Sequence, residues 1–392
     1  MVALPGVASP QALPEVRLRR EIVRQFTPNW FTITMGTGIL ALALNQFPWP
    51  VPGLHAVAAG LWVLNIGLFS LFTLLYAARW IRFPQEASRI FGHSVVSMFF
   101  GAIPMGLATI INGFLAFGIA WMGPAAVSIA EALWWLDAAM AVACGLLIPF
   151  LMFTHQTHSV EKMTAVWLLP IVAAEVAGAS AAQIVPHLAD AHAALRTLVL
   201  GYGLWAFSVP LAMSILVILL LRLILHKLPH RDMAASGCLA LGPIGTGALG
   251  LLLLGAAAPH AFAAVGMPMM GEVAQGIGII GGAVMVGYGV WWFMLAILTT
   301  ARYLSQEGMP FNIGWWGFTF PLGVYAVAVL ALGRQTHLGF ITTFGAFLVL
   351  LLALLWTVIA TRTLRGAWNR TLFVAPCLVT GSIPGDFAAD EV

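Results

Sequence analysis

Stretches of roughly twenty apolar residues alternate along this chain with short polar, charged or proline-bearing links, and such stretches match the thickness of a bilayer core. The pattern predicts ten helices, over 29–46, 54–80, 93–120, 126–152, 163–185, 193–225, 236–257, 271–303, 312–333 and 338–364. Each odd-numbered helix carries a breaker: MGTGI around Gly36 and Gly38, GAIPMG around Pro104, WLLPIV around Pro170, LGPIGTG around Pro243 and TFPLG around Pro321. The even-numbered helices read as ordinary long apolar spans, although the sixth holds Pro210 and is expected to tilt or kink. In lipid, a backbone group freed by a breaker is tolerated only where protein or a water-filled cavity covers it. The alternation therefore predicts an all-α integral membrane protein of five helical hairpins, whose broken odd-numbered members line a central pore.

Composition agrees with that class. Hydrophobic residues make up 61% of the 392, charged residues only 8%, and the mean hydropathy is +0.97, values unsuited to a soluble fold. Cationic residues cluster before the first span (Arg17, Arg19, Arg20, Arg24) and after the even-numbered ones (Arg79, Arg82, Arg89; Lys162; Arg222, Lys227, Arg231; Arg302; Arg362, Arg365, Arg370). Only Arg196 and Arg334 fall on the other side. This asymmetry puts both termini in the cytoplasm. The expected organisation is a cytoplasmic lead-in over 1–27 without signal-peptide character, one transmembrane domain over 28–365, and a cytoplasmic tail over 366–392 that ends acidic at Asp386, Asp390 and Glu391. The net charge of +3 is accounted for by topology and implies no nucleic-acid partner. Cys144, Cys238 and Cys377 stand far apart with no metal or disulfide spacing, and no metal or other cofactor is expected. Phosphate-loop, HExxH and GxSxG motifs are absent from the sequence, so ATP-driven transport and standard hydrolase chemistry have no support.

The chemistry-bearing positions lie in the odd-numbered spans: Thr37 between Gly36 and Gly38, Gly106 after Pro104, Gly245 and Thr246 after Pro243, and Thr319 before Pro321. Small residues also permit close helix packing, but their recurrence in every odd span predicts a lined cavity. Glu175, shortly after Pro170, is a carboxyl inside the bilayer. Such a group either carries a proton with a transported ion or hydrogen-bonds a carbonyl freed by the kink. Asp137 and Glu131 lie on an even-numbered helix and read as structural. His93 opens the third span, either receiving anions or capping the helix, while His155 and His158 have no third metal ligand. Paired tryptophans at Trp134–Trp135, Trp291–Trp292 and Trp315–Trp316 fit interfacial belts or packing.

FTPNWFTITMGTGI (Phe26–Ile39), GAIPMGLATIING (Gly101–Gly113), WLLPIV (Trp167–Val172), GPIGTG (Gly242–Gly247) and WWGFTFPLG (Trp315–Gly323) resemble the tellurite-resistance/dicarboxylate transporter family. That family includes malic-acid permeases, sulfite efflux pumps, tellurite-resistance proteins and slow anion channels. The resemblance runs through all ten spans and is nearest the sulfite-pump and malate-permease branch. It implies a ring of five hairpins assembled as a homotrimer, with a small inorganic or carboxylate anion as the permeant. A phenylalanine of the ninth span would plug the pore, matching Phe320, with Phe318 the alternative. The activity it implies is sulfite or bisulfite efflux across a plasma membrane, the inner membrane in a bacterium. Proton-coupled transport of a C4-dicarboxylate such as malate is the alternative, in which Glu175 becomes relevant. An intramembrane redox or metal enzyme is a third class, and it would need histidines facing one another within the spans.

Overall fold

The computed structural model describes residues 21–306, 308–373 and 375–378. Arg17, Arg19, Arg20, Asp386, Asp390 and Glu391 lie outside the described residues. Within them all regular structure is helical. The long helices are α1 (Thr32–Asn45), α2 (Leu54–Arg82), α3 (Ala102–Gly113), α4 (Pro124–Thr154), α5 (Leu169–Ile184), α6 (Ala191–His226), α7 (Leu241–Ala263), α8 (Pro268–Gln306), α9 (Thr319–Thr336) and α10 (Gly339–Trp368). Beyond Gly113, α3 continues through a π-helical stretch, Phe114–Gly118, to Met122. Among the described residues, nine helices are long and apolar enough to cross a membrane, and α1 is the one that is not.

The proline breakers act at helix starts, whereas Gly36 and Gly38 lie within α1. A 3-10 segment precedes every odd-numbered helix: Pro28–Phe31, Val96–Gly101, Ala165–Leu168, Arg231–Ala240 and Ile313–Phe318. Pro104, Pro243 and Pro321 are the third residues of α3, α7 and α9, and Pro170 is the second of α5. First-turn amides have no acceptor within an α-helix, so a residue without an N–H is harmless there. The tighter 3-10 pattern takes over the carbonyl that proline cannot serve: Leu169 N–H donates to Val166 O. Pro210, in contrast, lies well inside α6, which remains one continuous helix.

Odd-numbered helices form the interior. Each packs on the next, α1 on α3, α3 on α5, α5 on α7 and α7 on α9, and α9 returns to α1 to close a ring of five. Every even-numbered helix lies outside, against its own inner partner and the next: α2 on α1 and α3, α4 on α3 and α5, α6 on α5 and α7, α8 on α7 and α9, α10 on α9 and α1. Burial follows this division. The apolar cores of α5 and α9 are 94% buried, whereas those of the five even-numbered helices are between 22% and 33% buried. Outward positions such as Leu74, Phe153, Val217, Ile280 and Leu354 stay exposed. An apolar belt of this extent suits acyl chains and not water, so the chain is a multi-pass membrane protein.

Glycines set the spacing inside the ring. A Cβ on Gly245 of α7 would lie 2.7 Å from the Tyr325 amide nitrogen of α9, and one on Gly323 of α9 would lie 2.7 Å from Ile39 of α1. Gly36 is pressed against Thr319 and Trp316, Gly38 against Thr109 and Asn65, and Gly106 against Thr34. These are close backbone approaches of the kind that only small residues permit. Tryptophans tie outer helices to inner ones. Trp134 Nε1 donates to Ala177 O at 2.8 Å, and Trp316 Nε1 to Thr363 Oγ1 at 3.0 Å. Trp135, the neighbour of Trp134, and Trp291, the neighbour of buried Trp292, are exposed.

The described cationic residues gather at the pole where the inner helices begin; Arg196 and Arg334 lie at the pole where they end. At the first pole the segment before α1 meets the segment after α10. Trp30 stacks on Phe373 with ring centres 4.7 Å apart, and Ala375 N–H donates to Gln25 Oε1 at 2.7 Å. Arg79, fully buried, donates to the Phe26 carbonyl.

Candidate functional site

All five inner helices contribute to one cavity of about 260 Å3. The lining is Ile39, Leu42, Asn45 and Gln46 from α1; Thr109, Asn112 and Ala116 from α3 and its continuation; Val176, Ala179 and Gln183 from α5; Thr246, Leu249 and Leu253 from α7; and Phe320, Val324 and Val327 from α9. On each helix these residues recur three or four apart over about two turns, one stripe facing a common axis. A stripe of seven residues spans roughly 10 Å along that axis. Counted from the helix starts, the first lining positions are Ile39, Thr109, Val176, Thr246 and Phe320, and Asn45, Gln46 and Gln183 stand at the other end of the stripes.

No charged side chain is part of this lining. Its polar groups are hydroxyls and carboxamides. Thr246 Oγ1 donates to Gly242 O at 2.7 Å, and Thr109 Oγ1 donates to Gly106 O at 2.7 Å while accepting from Asn65 Nδ2 at 2.9 Å. Both threonines keep their hydroxyl protons within their own helices, so neither offers the cavity a hydroxyl donor, and the wall binds weakly.

Thr246 and Phe320 are thus the expected pore residues that reach the cavity. Phe318 belongs to the 3-10 segment before α9 and packs edge-on to Trp315, ring centres 6.1 Å apart. Thr37 turns outward and accepts from Trp356 Nε1 of α10 at 3.1 Å. Thr319 Oγ1 donates to Trp316 O at 2.7 Å. Gly36, Gly38, Gly106 and Gly245 occupy the helix seams described above. Pro104, Pro170 and Pro243 precede the first lining residues of their helices and Pro321 directly follows Phe320, all near the junctions of 3-10 and α geometry.

Glu175 is fully buried and faces α6 rather than the cavity. Its Oε2 accepts from Ser208 Oγ at 3.2 Å, while the same hydroxyl lies 2.8 Å from Ile171 O. Asp137, also fully buried, is on the inward face of α4; among the described residues neither of its oxygens, nor Glu175 Oε1, has a hydrogen-bond partner. His93 caps the lead-in of α3: its Nδ1 accepts from Val95 N at 3.2 Å and from Val96 N at 3.3 Å. Burial lowers its pKa from the ordinary imidazole value, so the neutral ring that can accept these bonds is the favoured form. His155 pairs with Thr154 and His158 with Gln156, and no metal-binding cluster occurs among the described residues.

The carboxamides were not anticipated from sequence. Asn45 and Gln46 are the last two residues of the first predicted span, where the polar, proline-bearing run to Pro52 begins, and Gln183 sits three residues before Pro186. Asn112 carried a usable signal, being a carboxamide within an otherwise apolar segment, three residues after Thr109.

Comparison with known proteins bears on this architecture. A family model described as voltage-dependent anion channel, SLAC1, matches residues 25–364. The chain is 38% identical over 355 residues to a sulfite efflux pump of Trichophyton rubrum, covering 90% of this chain and 93% of that one. It is 28% identical to an uncharacterized transporter of Methanocaldococcus jannaschii, covering 90% of this chain and 96% of the other. Identity to a malic acid transport protein of Schizosaccharomyces pombe is 24%, over 88% of this chain and 78% of that one.

Proposed function

The chain belongs to the voltage-dependent anion channel family, and from that premise we propose that it lets sulfite or hydrogen sulfite leave the cell through a pore gated by Phe320. The observation that carries this reading is the single cavity striped by all five inner helices and bounded on α9 by Phe320. A phenyl ring across a narrow neck excludes water and ions, as hydrophobic constrictions do in other channels. Phe320 is favoured over Phe318 because its ring is part of the lining. The remaining features of the proposal are ten membrane crossings with α1 as the first, both termini in the cytoplasm, a plasma-membrane location and a homotrimeric assembly. The protein moves its substrate without chemical conversion.

The energetics suit efflux. An inside-negative membrane drives an anion outward by about 2.3 kcal/mol per charge per 100 mV. Export therefore needs no fuel and no tightly binding cation, in keeping with the neutral lining. Inward malate transport would need protons, and the one carboxyl deep in the inner ring, Glu175, is turned away from the cavity. Proteoliposome flux tests the proposal. Sulfite should exit down its gradient without a pH gradient and faster than malate. Malate uptake that requires a proton gradient and is lost in Glu175→Gln would replace this reading with the dicarboxylate one.

A further inference from the structure

The end of the cavity where the inner helices finish holds Asn45, Gln46 and Gln183, Asn112 stands one turn deeper, and no ionised group is part of the lining. A carboxamide can donate or accept, and what it shows to an ion depends on what holds its other end. At Gln46 that choice is made by Arg334, from the last turn of α9, whose Nη2 lies 2.7 Å from Gln46 Oε1. A guanidinium has donors only, so it must take the oxygen. The Gln46 amino group is then left to the cavity that Gln46 lines. At Asn45 the same orientation goes with the Nδ1-protonated tautomer of His55, whose Nδ1 lies 2.9 Å from Asn45 Oδ1. Asn112, only 8% exposed, has its Oδ1 enclosed without a partner among the described residues, which leaves the amino group to meet the cavity.

We propose that this end of the cavity is an anion-coordinating station built from the amide N–H groups of Gln46, Asn45 and Asn112. In it Arg334 is a positioning residue that holds Gln46 with its donors inward. The proposal rests on the permeation reading above and adds a ligand class to it. Neutral donors interact with an ion in proportion to its charge, whereas the cost of stripping its water rises with the square of that charge. With Arg334 spent on the Gln46 oxygen and outside the lining, the amides favour monoanions: hydrogen sulfite over sulfite or a dicarboxylate dianion. Arg334 itself lines a separate open hollow with Trp49, His337, Thr342 and Thr343, behind Gln46.

The test is sulfite flux from proteoliposomes, measured against concentration, pH and ionic strength, for the wild type and for Gln46→Leu, Arg334→Gln and Arg334→Lys. Wild-type flux should follow the hydrogen sulfite concentration and fall as pH rises through the second ionisation of sulfurous acid. Loss of one donor should raise KM about five- to tenfold in Gln46→Leu. Arg334→Gln, whose side chain can offer Gln46 either end, should show a similar rise that persists at high salt. Arg334→Lys, again donor only, should restore the wild-type KM. Equal damage from Arg334→Lys and Arg334→Gln overturns the positioning role, as does a defect in Arg334→Gln that salt abolishes, because that is charge attraction. Unchanged KM in Gln46→Leu overturns the station. A wild-type protein that moves no anion overturns the permeation reading itself and is distinguished by that control.

Discussion

In the proposed mechanism, conduction turns on Phe320. It is 3% exposed and forms the α9 edge of the cavity floor, next to Pro321 at the change from 3-10 to α geometry. Phe320→Ala should raise anion conductance several-fold in planar bilayers. Because one side of the ring meets the cavity, the loss of stability should fall short of the about 3–5 kcal/mol typical of an enclosed phenylalanine. Unchanged conductance in a well-folded variant would remove the gate. His93 governs a different property. With its folded pKa lowered, the folded state takes up fewer protons than the unfolded one at mildly acid pH. Its contribution is complete above the unfolded value near 6.5 and declines as pH falls from there toward the folded value. The melting temperature should therefore be lower at about pH 5.5 than at about 7.5. In His93→Asn, which keeps an acceptor for Val95 and Val96, that difference should shrink; an identical pH slope would exclude His93 as its source. Sequence made both residues visible as types but could not orient them. Phe318 and Phe320 are two apart near a break, and only the end of the 3-10 segment decides which ring reaches the axis. Thr37 shows the same limit, since its partner Trp356 is 319 residues away.

At the level of elements, the recurring breakers were the legible part: they mark every inner helix and separate inner from outer without reference to contacts. Their position within the helix was not legible. Proline in an apolar run is compatible with a mid-helix kink or a first turn, and the 3-10 lead-ins that decide the matter have no pattern of their own. Glycines likewise announced close approach but not what approaches. Gly245 and Gly60 make the contrast measurable. A methyl at Gly245 meets the Tyr325 backbone at 2.7 Å, while one at Gly60 of α2 meets nothing within 4 Å. Gly245→Ala should cost about 1–3 kcal/mol through overpacking. Gly60→Ala should be neutral or gain up to about 1 kcal/mol of helix propensity. Thermal unfolding in detergent compares them, and equal melting temperatures would refute the seam. The carboxamide end escaped notice because Asn45–Pro52 reads as a polar, proline-rich link. A stripe of helix is seen as one only when its neighbours supply the axis.

On the scale of the molecule, the ring is closed by the pairing of α1 with α9, the first and last inner helices in the chain. Gly36 receives Thr319 and Trp316, and Gly323 receives Ile39, across nearly three hundred residues. A chain emerging from the ribosome from its N-terminus therefore inserts four staves of the barrel before the fifth exists. Until Phe320 and the turns after it arrive, the interior is a trough open on one side, and the groove on α1 has nothing to fill it. On the proposed gating by Phe320, the ion path and its stopper are completed in the same event. No nascent or truncated chain possesses an enclosed aqueous route without the ring that closes it, so biogenesis need not expose the membrane to an ungated leak.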